Sequence, residues 1–341
     1  MRQAIIVGPT RFEVVDAPAP RLRDDSDILV RTAACGICSG DLMPWYLEKK
    51  IGTVLGHEVV GWAIEVGPAV SHIKPGDLVF LHHHAPCLSC AECKRGAYVH
   101  CHTWRSSKLD PGGMAEMIRV PAEIVRTDAF AVNDLTPEQA VFIEPLGCCV
   151  KGLGNCKMQI AKCKLQNGAV VGCGVMGLLN IMTARALGTE QVVAVEPNEE
   201  RRRLALAYGA QRALTPEEAA DILDGACDFV IIGPGQRDVI RQSLAYVRPG
   251  GVALLFTPTP SGVTTGLDLG DLYFREVSLV PSYSCGPEDT RKAYELLRTG
   301  QARVERLVTH RFSLDDVQQA YDTARQGGAA IKVLVLFNDR S

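Results

Sequence analysis

Cys87, Cys90, Cys93 and Cys101 form a C-x2-C-x2-C-x7-C run. A tetrahedral zinc ion accepts four thiolates at about 2.3 Å, and two-residue spacers let one tight loop present its sulfurs from a single side. Four thiolates leave no open coordination position, so a zinc here would be structural. A loop of free thiols is the alternative, and it fits poorly with four cysteines inside so short a stretch. The remaining ligand types fall in three separated segments: Gly36-Ile37-Cys38-Ser39-Gly40-Asp41, Gly56-His57-Glu58 and Glu144-Pro145-Leu146-Gly147. A catalytic zinc takes about three protein ligands and keeps one position for water or substrate. One thiolate, one imidazole and one carboxylate meet that need. Each segment is weak alone: a His after Gly also suits a loop, Glu-Pro suits a helix end, and Cys35 with Cys38 suits a plain C-x-x-C pair.

A second chemistry is written at Gly172-Cys173-Gly174-Val175-Met176-Gly177, which fits G-x-G-x-x-G. It follows the apolar run Ala169–Val171 and opens an apolar helix, the context in which such a loop cradles a dinucleotide pyrophosphate. Gly172 would make the tight turn, Gly174 would let the backbone approach the phosphates, and Gly177 would allow close helix–strand packing. Glu196 ends Val192–Val195, where an acid hydrogen-bonds the adenosine ribose diol. A carboxylate there repels a 2′-phosphate, so NAD is expected rather than NADP. Arg201–Arg203 follow, either within reach of a phosphate or as solvated charge on a helix.

These groups need two kinds of scaffold. Residues 1–120 read as short strands with turn punctuation: Ala4–Val7, Ile28–Ala33, Val59–Val66, and Leu78–Leu81 launched by Pro75-Gly76-Asp77, a mostly antiparallel β unit. Thr136-Pro137-Glu138-Gln139 has the form of a capped helix start. From Ala169 the pattern alternates. Ala169–Val171, Val192–Val195, Phe229–Ile232 and Val252–Phe256 are expected strands; Leu178–Leu187, Glu200–Tyr208 and Asp238–Tyr246 are expected helices. That rhythm argues for a parallel, doubly wound sheet. A helix over Pro287–Arg298 and a strand over Ile331–Phe337 close the chain. The length of 341 residues exceeds what one core usually spans. A net charge of −3 argues against nucleic acid or an anionic membrane as partner. No signal peptide or apolar run of spanning length is evident, so a soluble, cytoplasmic protein is expected. In that setting the 13 cysteines point to metal or catalysis rather than disulfides.

The three ligand segments, in this order and with the four-cysteine lobe between them, resemble the zinc-containing medium-chain dehydrogenase superfamily, which includes alcohol, sorbitol and threonine dehydrogenases. The resemblance spans essentially the whole chain. It implies an α/β fold of two domains: a GroES-like, mostly antiparallel β catalytic domain (1–146 plus 283–341, with the structural-zinc lobe at about 82–104) and a doubly wound Rossmann coenzyme domain (147–282). It implies two Zn2+ per chain, with Cys38 and His57 as catalytic ligands and Cys35 a bystander. Glu144 would be the third ligand, as in the polyol-type branch, while Glu58 binds zinc directly or approaches it as water exchanges. Gly233-Pro234-Gly235 would flank the cofactor riboses, and Lys332 would meet the pyrophosphate. Homodimers or homotetramers are implied.

The implied chemistry is hydride transfer between NAD(H) and a small alcohol or carbonyl substrate. Relatives commonly carry Ser or Thr two residues after the ligand Cys and often His three beyond, whereas this chain has Gly40 and Met43, neither able to relay a proton. Ser39, Glu58 or a water held by Glu144 are the replacements. His83 aligns with a substrate-pocket position, where an imidazole suits a polyol, sugar or other hydroxylated substrate; Trp45 and Tyr46 are further candidates for the wall. The alternatives are a member repurposed for a non-alcohol reduction and a catalytically silent NAD- and zinc-binding protein.

Overall fold

The computed structural model describes residues 1–159 and 165–337. The chain divides into two compact units, Met1–Glu144 with the residues from Cys285 onward, and Pro145–Ser284. The expected boundaries stand two residues from these.

The first unit is built on a seven-stranded sheet. Its order is Val308–Ser313, Lys332–Leu336, Ile28–Gly36, Glu58–Val66, Leu78–Leu81 and Ala129–Ala131, with Met117–Val120 also paired to Ile28–Gly36. Every pairing is antiparallel except Val308–Ser313 with Lys332–Leu336. Alternation along Ile28–Gly36 and its neighbours sends Ile28, Val30, Val59, Val79 and Leu81 into one core with Val333, Val335 and Tyr321. The register places Gly36 opposite Glu58 on one side and Leu334 on the other. Cys38, just past one strand, and His57, just before the next, therefore emerge at the same end of the sheet. The capping box at Thr136 forms as its sequence suggests, with Thr136 accepting from Gln139 N and Gln139 bonding back. The longer helix Ile143–Gln159 carries Glu144 in its first turn.

The second unit holds six parallel strands in the order Arg212–Leu214, Gln191–Val195, Asn167–Val171, Cys227–Ile232, Val247–Leu255 and Ser278–Pro281. That is the doubly wound order with the first strand central and the direction reversing beside it, where such folds bind dinucleotides. The two outer strands, of three and four residues, are too short to register in a hydrophobicity pattern. The parallel pair in the catalytic sheet is likewise invisible to local periodicity, because its partners are joined only by tertiary packing. No helix among the described residues is long and apolar enough to cross a membrane.

Candidate zinc and dinucleotide sites

The four-cysteine lobe brings Cys87, Cys90, Cys93 and Cys101 together with all four sulfurs within 4.8 Å of one another. Cys90 Sγ lies 3.5 Å from Cys93 Sγ, and Cys87 Sγ 3.9 Å from Cys93 Sγ. Four bonds of about 2.3 Å at tetrahedral angles separate sulfurs by about 3.8 Å, so these spacings fit one zinc. Backbone N–H groups serve the sulfurs too: Cys90 N donates to Cys87 Sγ (3.4 Å) and Cys87 N to Cys101 Sγ (3.3 Å). Hydrogen bonds from Ser89 and Cys90 pull the Cys87 thiol down to about 5, towards the thiolate a metal requires.

Cys38, His57 and Glu58 likewise present ligand atoms within 4.8 Å of one another. Cys38 caps the short turn Ser39–Leu42, its sulfur accepting from Gly40 N at 3.4 Å. The same turn buries Asp41, whose Oδ2 lies 3.4 Å from His57 Nδ1. A carboxylate facing one imidazole nitrogen at that distance, short of a hydrogen bond, favours the other nitrogen as the metal ligand. The sequence carries one clue to Asp41, an acid three residues beyond a ligand cysteine. Burial pushes the Cys38 thiol and the Asp41 carboxyl up from their ordinary values. Burial alone would lower His57, but Asp41 and Cys38 outweigh it and raise that imidazole well above its usual range. Glu58 Oε1 and both Asp41 oxygens are buried without a hydrogen-bond partner. A half-buried thiol and imidazole beside a buried carboxylate pair that lacks enough positive charge are the donor set a zinc ion satisfies, so the residues fit the metal.

Lys332 is fully buried beside this group, its ammonium paired with Glu58 Oε2 and donating to Ile37 O at 3.2 Å. The strand register sets Lys332 within the catalytic unit, and there its ammonium is paired with Glu58. Gly36 makes the pair possible. A Cβ there would stand 2.3 Å from Glu58 Oε2 and 2.8 Å from Lys332 Cε. Glu144 groups with His82 and His83, and its charge also reaches His57 and helps to raise that imidazole. The His83 ring lies 5.0 Å from that of His57, and burial, then the neighbouring His82 and His57, hold its pKa well below the usual value. Ser39 is exposed next to Cys38, and Trp45 and Tyr46 are half-buried and in edge contact at 6.2 Å. Lys49 and Lys50 lie 6.0 and 5.2 Å over their respective rings.

In the second unit Gly172 adopts a left-handed φ of 86° directly after its strand. Gly174 stands at the start of helix Val175–Ala186 with open space around it. At Gly177 a Cβ would fall 1.9 Å from Gly172 O. Turn, open approach and close packing are thus distributed over the three glycines, and Val175 and Met176 form the start of the helix that follows. Gly233 and Gly235 follow strand Cys227–Ile232, where a Cβ on Gly233 would meet Val171 O at 2.9 Å. Glu196 is buried, accepting from Cys173 N (2.7 Å) and Asn198 N (3.0 Å), which ties it to the glycine loop.

Known proteins align with both units. Residues 24–128 match the model of the alcohol dehydrogenase GroES-like domain, and residues 175–299 that of the zinc-binding dehydrogenase. The chain belongs to the zinc-type medium-chain dehydrogenase family. It is 27% identical to a sorbitol dehydrogenase of Bombyx mori over 97% of each chain, and 30% identical to an L-threonine 3-dehydrogenase of Pyrococcus furiosus over 94% of each. A zinc-binding dehydrogenase from Sinorhizobium meliloti, solved with NADP bound, superposes with a TM-score of 0.87 at 27% identity, covering 98% of this chain and 99% of that one. As a family member the chain is a zinc-dependent oxidoreductase that uses a nicotinamide cofactor.

Proposed function

We propose that this dehydrogenase transfers hydride between NAD(H) and a polyol, sugar or other hydroxylated substrate, with one catalytic and one structural zinc per chain. The observation that carries the reading is the convergence of Cys38, His57 and Glu58 with Asp41 behind the imidazole. A zinc ion held there supplies Lewis acidity, lowering the pKa of a bound hydroxyl. Asp41 orients His57, Lys332 fixes the Glu58 carboxylate, and His83 offers a neutral imidazole suited to further substrate hydroxyls. Gly40 and Met43 cannot move a proton, and Glu58 is engaged by Lys332. Exposed Ser39 is therefore the hydroxyl placed to pass one to solvent.

Glu196 supports NAD over NADP, since a buried carboxylate at the ribose position opposes a 2′-phosphate. Its neighbours support the same choice: Arg202 bonds the carbonyls of Glu196 and Pro197, and Arg203 pairs with Glu199 and Glu200. A polyol panel assayed with both cofactors, alongside metal analysis, tests the reading. Two zincs per chain at the two groups and NADH formation are expected; tight NADH binding without turnover on any alcohol or carbonyl would overturn it. A homodimer or homotetramer is part of the proposal, supported by the exposed apolar side chains of Leu269, Tyr273 and Phe274 next to the edge strand Ser278–Pro281.

A further inference from the structure

The strand Leu78–Leu81 runs on into His82, His83 and His84, and the outer two imidazoles are tied down. His82 is fully buried, its Nδ1 lying 2.6 Å from Asp128 Oδ2 and its Nε2 facing the Cys285 thiol at 3.7 Å. Asp128 is itself held, since its Oδ1 accepts from Thr290 Oγ1 at 2.5 Å. His84 Nδ1 donates to Ser107 O at 2.6 Å, and Ala85 N donates to Ser107 Oγ at 2.9 Å. His83, between them, has no such tie. Its Nδ1 is shielded from solvent without a hydrogen-bond partner, so the ring owes its orientation to the rings packed on it. Those rings form a continuous row. The His83 centroid lies 5.0 Å from that of His57 and 4.4 Å from that of His84, and the Trp104 ring lies a further 4.3 Å beyond His84.

Trp104 belongs to the four-cysteine lobe. It is buried with Cys93, Val99 and Cys101, on the short helix His102–Ser106 that Cys101 caps. That helix ends at Ser107, whose N–H donates to Thr103 O at 2.8 Å and whose hydroxyl donates to Trp104 O at 3.3 Å. One end of the helix is thus a proposed zinc ligand, and the other holds His84 by a ring contact and a carbonyl. The simpler account is that a small lobe merely packs on the sheet. That account explains the Trp104–His84 contact. Two features go beyond it. Hydrogen bonds to Ser107 fix the angle of His84 as well as its distance, and the next ring in the row, His83, has no bond of its own through Nδ1 to fix its angle.

We propose that Trp104 and His84 are positioning residues for the dehydrogenation: through their rings the fold of the four-cysteine lobe sets the angle of His83, and with it the affinity for the hydroxylated substrate. Contiguous packed side chains carry such a coupling when one element has two arrangements, and the lobe has an ordered and a loosened one. Loosening it withdraws the Trp104 ring, and His84 and then His83 turn. The effect falls on KM rather than on kcat, because His57 is held separately, with Asp41 Oδ2 3.4 Å from its Nδ1. The inference rests on the reading of His83 as the imidazole that meets substrate hydroxyls, and the test separates the two.

Kinetics of the full-length, zinc-loaded enzyme on the best polyol of the panel supply the first readout. Trp104→Leu and His84→Ala should each raise KM about 3- to 30-fold with kcat changed less than about 2-fold, while Trp104→Phe, which keeps a ring on His84, should stay within about 2-fold of the wild-type KM. His84→Ala leaves the buried cluster of the lobe untouched and should keep both zincs on metal analysis, so it carries the test if Trp104→Leu sheds the lobe zinc. In a His83→Gln background, which raises KM by itself, adding His84→Ala should bring no further rise. An additive rise would show that the lobe acts by another route and would overturn the proposal. So would a wild-type KM in His84→Ala, or a fall in its kcat with loss of the catalytic zinc. The crystal structure of His84→Ala reads the positioning without substrate: the His83 ring should leave its place against His57, and a ring that kept its orientation would overturn the proposal whatever the kinetics. Failure of the substrate reading has its own signature, an unchanged KM in His83→Gln alongside a displaced His83 ring in His84→Ala.

Discussion

Single residues decide whether the catalytic group works. Cys38→Ser replaces a soft thiolate with a hydroxyl that binds zinc poorly. We expect loss of the catalytic ion and a fall in kcat/KM of at least about 10³-fold, or about 4 kcal/mol of transition-state stabilisation. The lobe zinc, far along the chain, should remain; steady-state kinetics with metal analysis checks both halves, and a variant with most of its activity would refute the ligand assignment. Gly36→Ala tests a less obvious dependence. Its new methyl would collide with Glu58 Oε2 and Lys332 Cε, both buried. Overpacking of that kind costs about 1–3 kcal/mol, and here it also separates a buried charge pair, so a lower Tm should accompany weaker zinc retention. The ligand types were readable at this scale because spacing and identity survive without coordinates. Asp41 behind His57, Asp128 behind His82 and the Lys332–Glu58 pair were not: each joins residues 16 to 274 positions apart, and only the sheet register brings them together.

The four-cysteine lobe shows what an element lacks when its core is too small. Its buried cluster is Cys93, Val99, Cys101 and Trp104, two of which are the proposed zinc ligands. So few apolar side chains are a weak match for the backbone entropy of ordering a loop of this length, and the proposed zinc would supply the difference. Removing that zinc with a chelator should unfold the lobe locally while the rest of the chain stays folded. Trp104, 3% exposed, is one of three tryptophans and the one in the lobe: with Trp45 and Trp62 replaced by Phe, its emission should shift to the red and residues 87–104 should become protease-sensitive, with little change in far-UV circular dichroism. An unchanged Trp104 environment after verified zinc loss would show that the lobe stands without metal. The glycine loop makes the complementary case, because there the constraint is steric. Gly177→Ala sets a methyl 1.9 Å from Gly172 O, a backbone atom that cannot swing aside. The loop must open, and NADH affinity should fall at least about 10-fold in a fluorescence titration. This loop was legible in the sequence because its motif, strand and helix are contiguous. The flanking strands Arg212–Leu214 and Ser278–Pro281 were not, being held in place by neighbours rather than by their own pattern.

At the scale of the whole molecule, two compact units and their sheet types followed from where the alternating pattern gave way to a strand–helix rhythm, but nothing in that rhythm says how the chain meets a second copy. The Rossmann sheet ends at Ser278–Pro281, which pairs on one side only, with Val247–Leu255, among the described residues. Just before it, helix Leu269–Phe274 exposes Leu269, Tyr273 and Phe274 at 73%, 76% and 85%. Large apolar side chains gathered beside an unpaired strand edge are a liability in a monomer and are usually covered. A second copy related by a two-fold axis covers both at once, since each chain offers the same edge and the same ring pair to the other. We therefore expect the protein to elute from size exclusion as a dimer or larger, and Tyr273→Ser with Phe274→Ser to shift it towards monomer in proportion to dilution. Both positions lie outside the zinc groups, so metal content should not change, while Tm should fall and become dependent on concentration. If the double variant kept its size and Tm, the edge strand would not be the interface, and the exposed rings would need another partner.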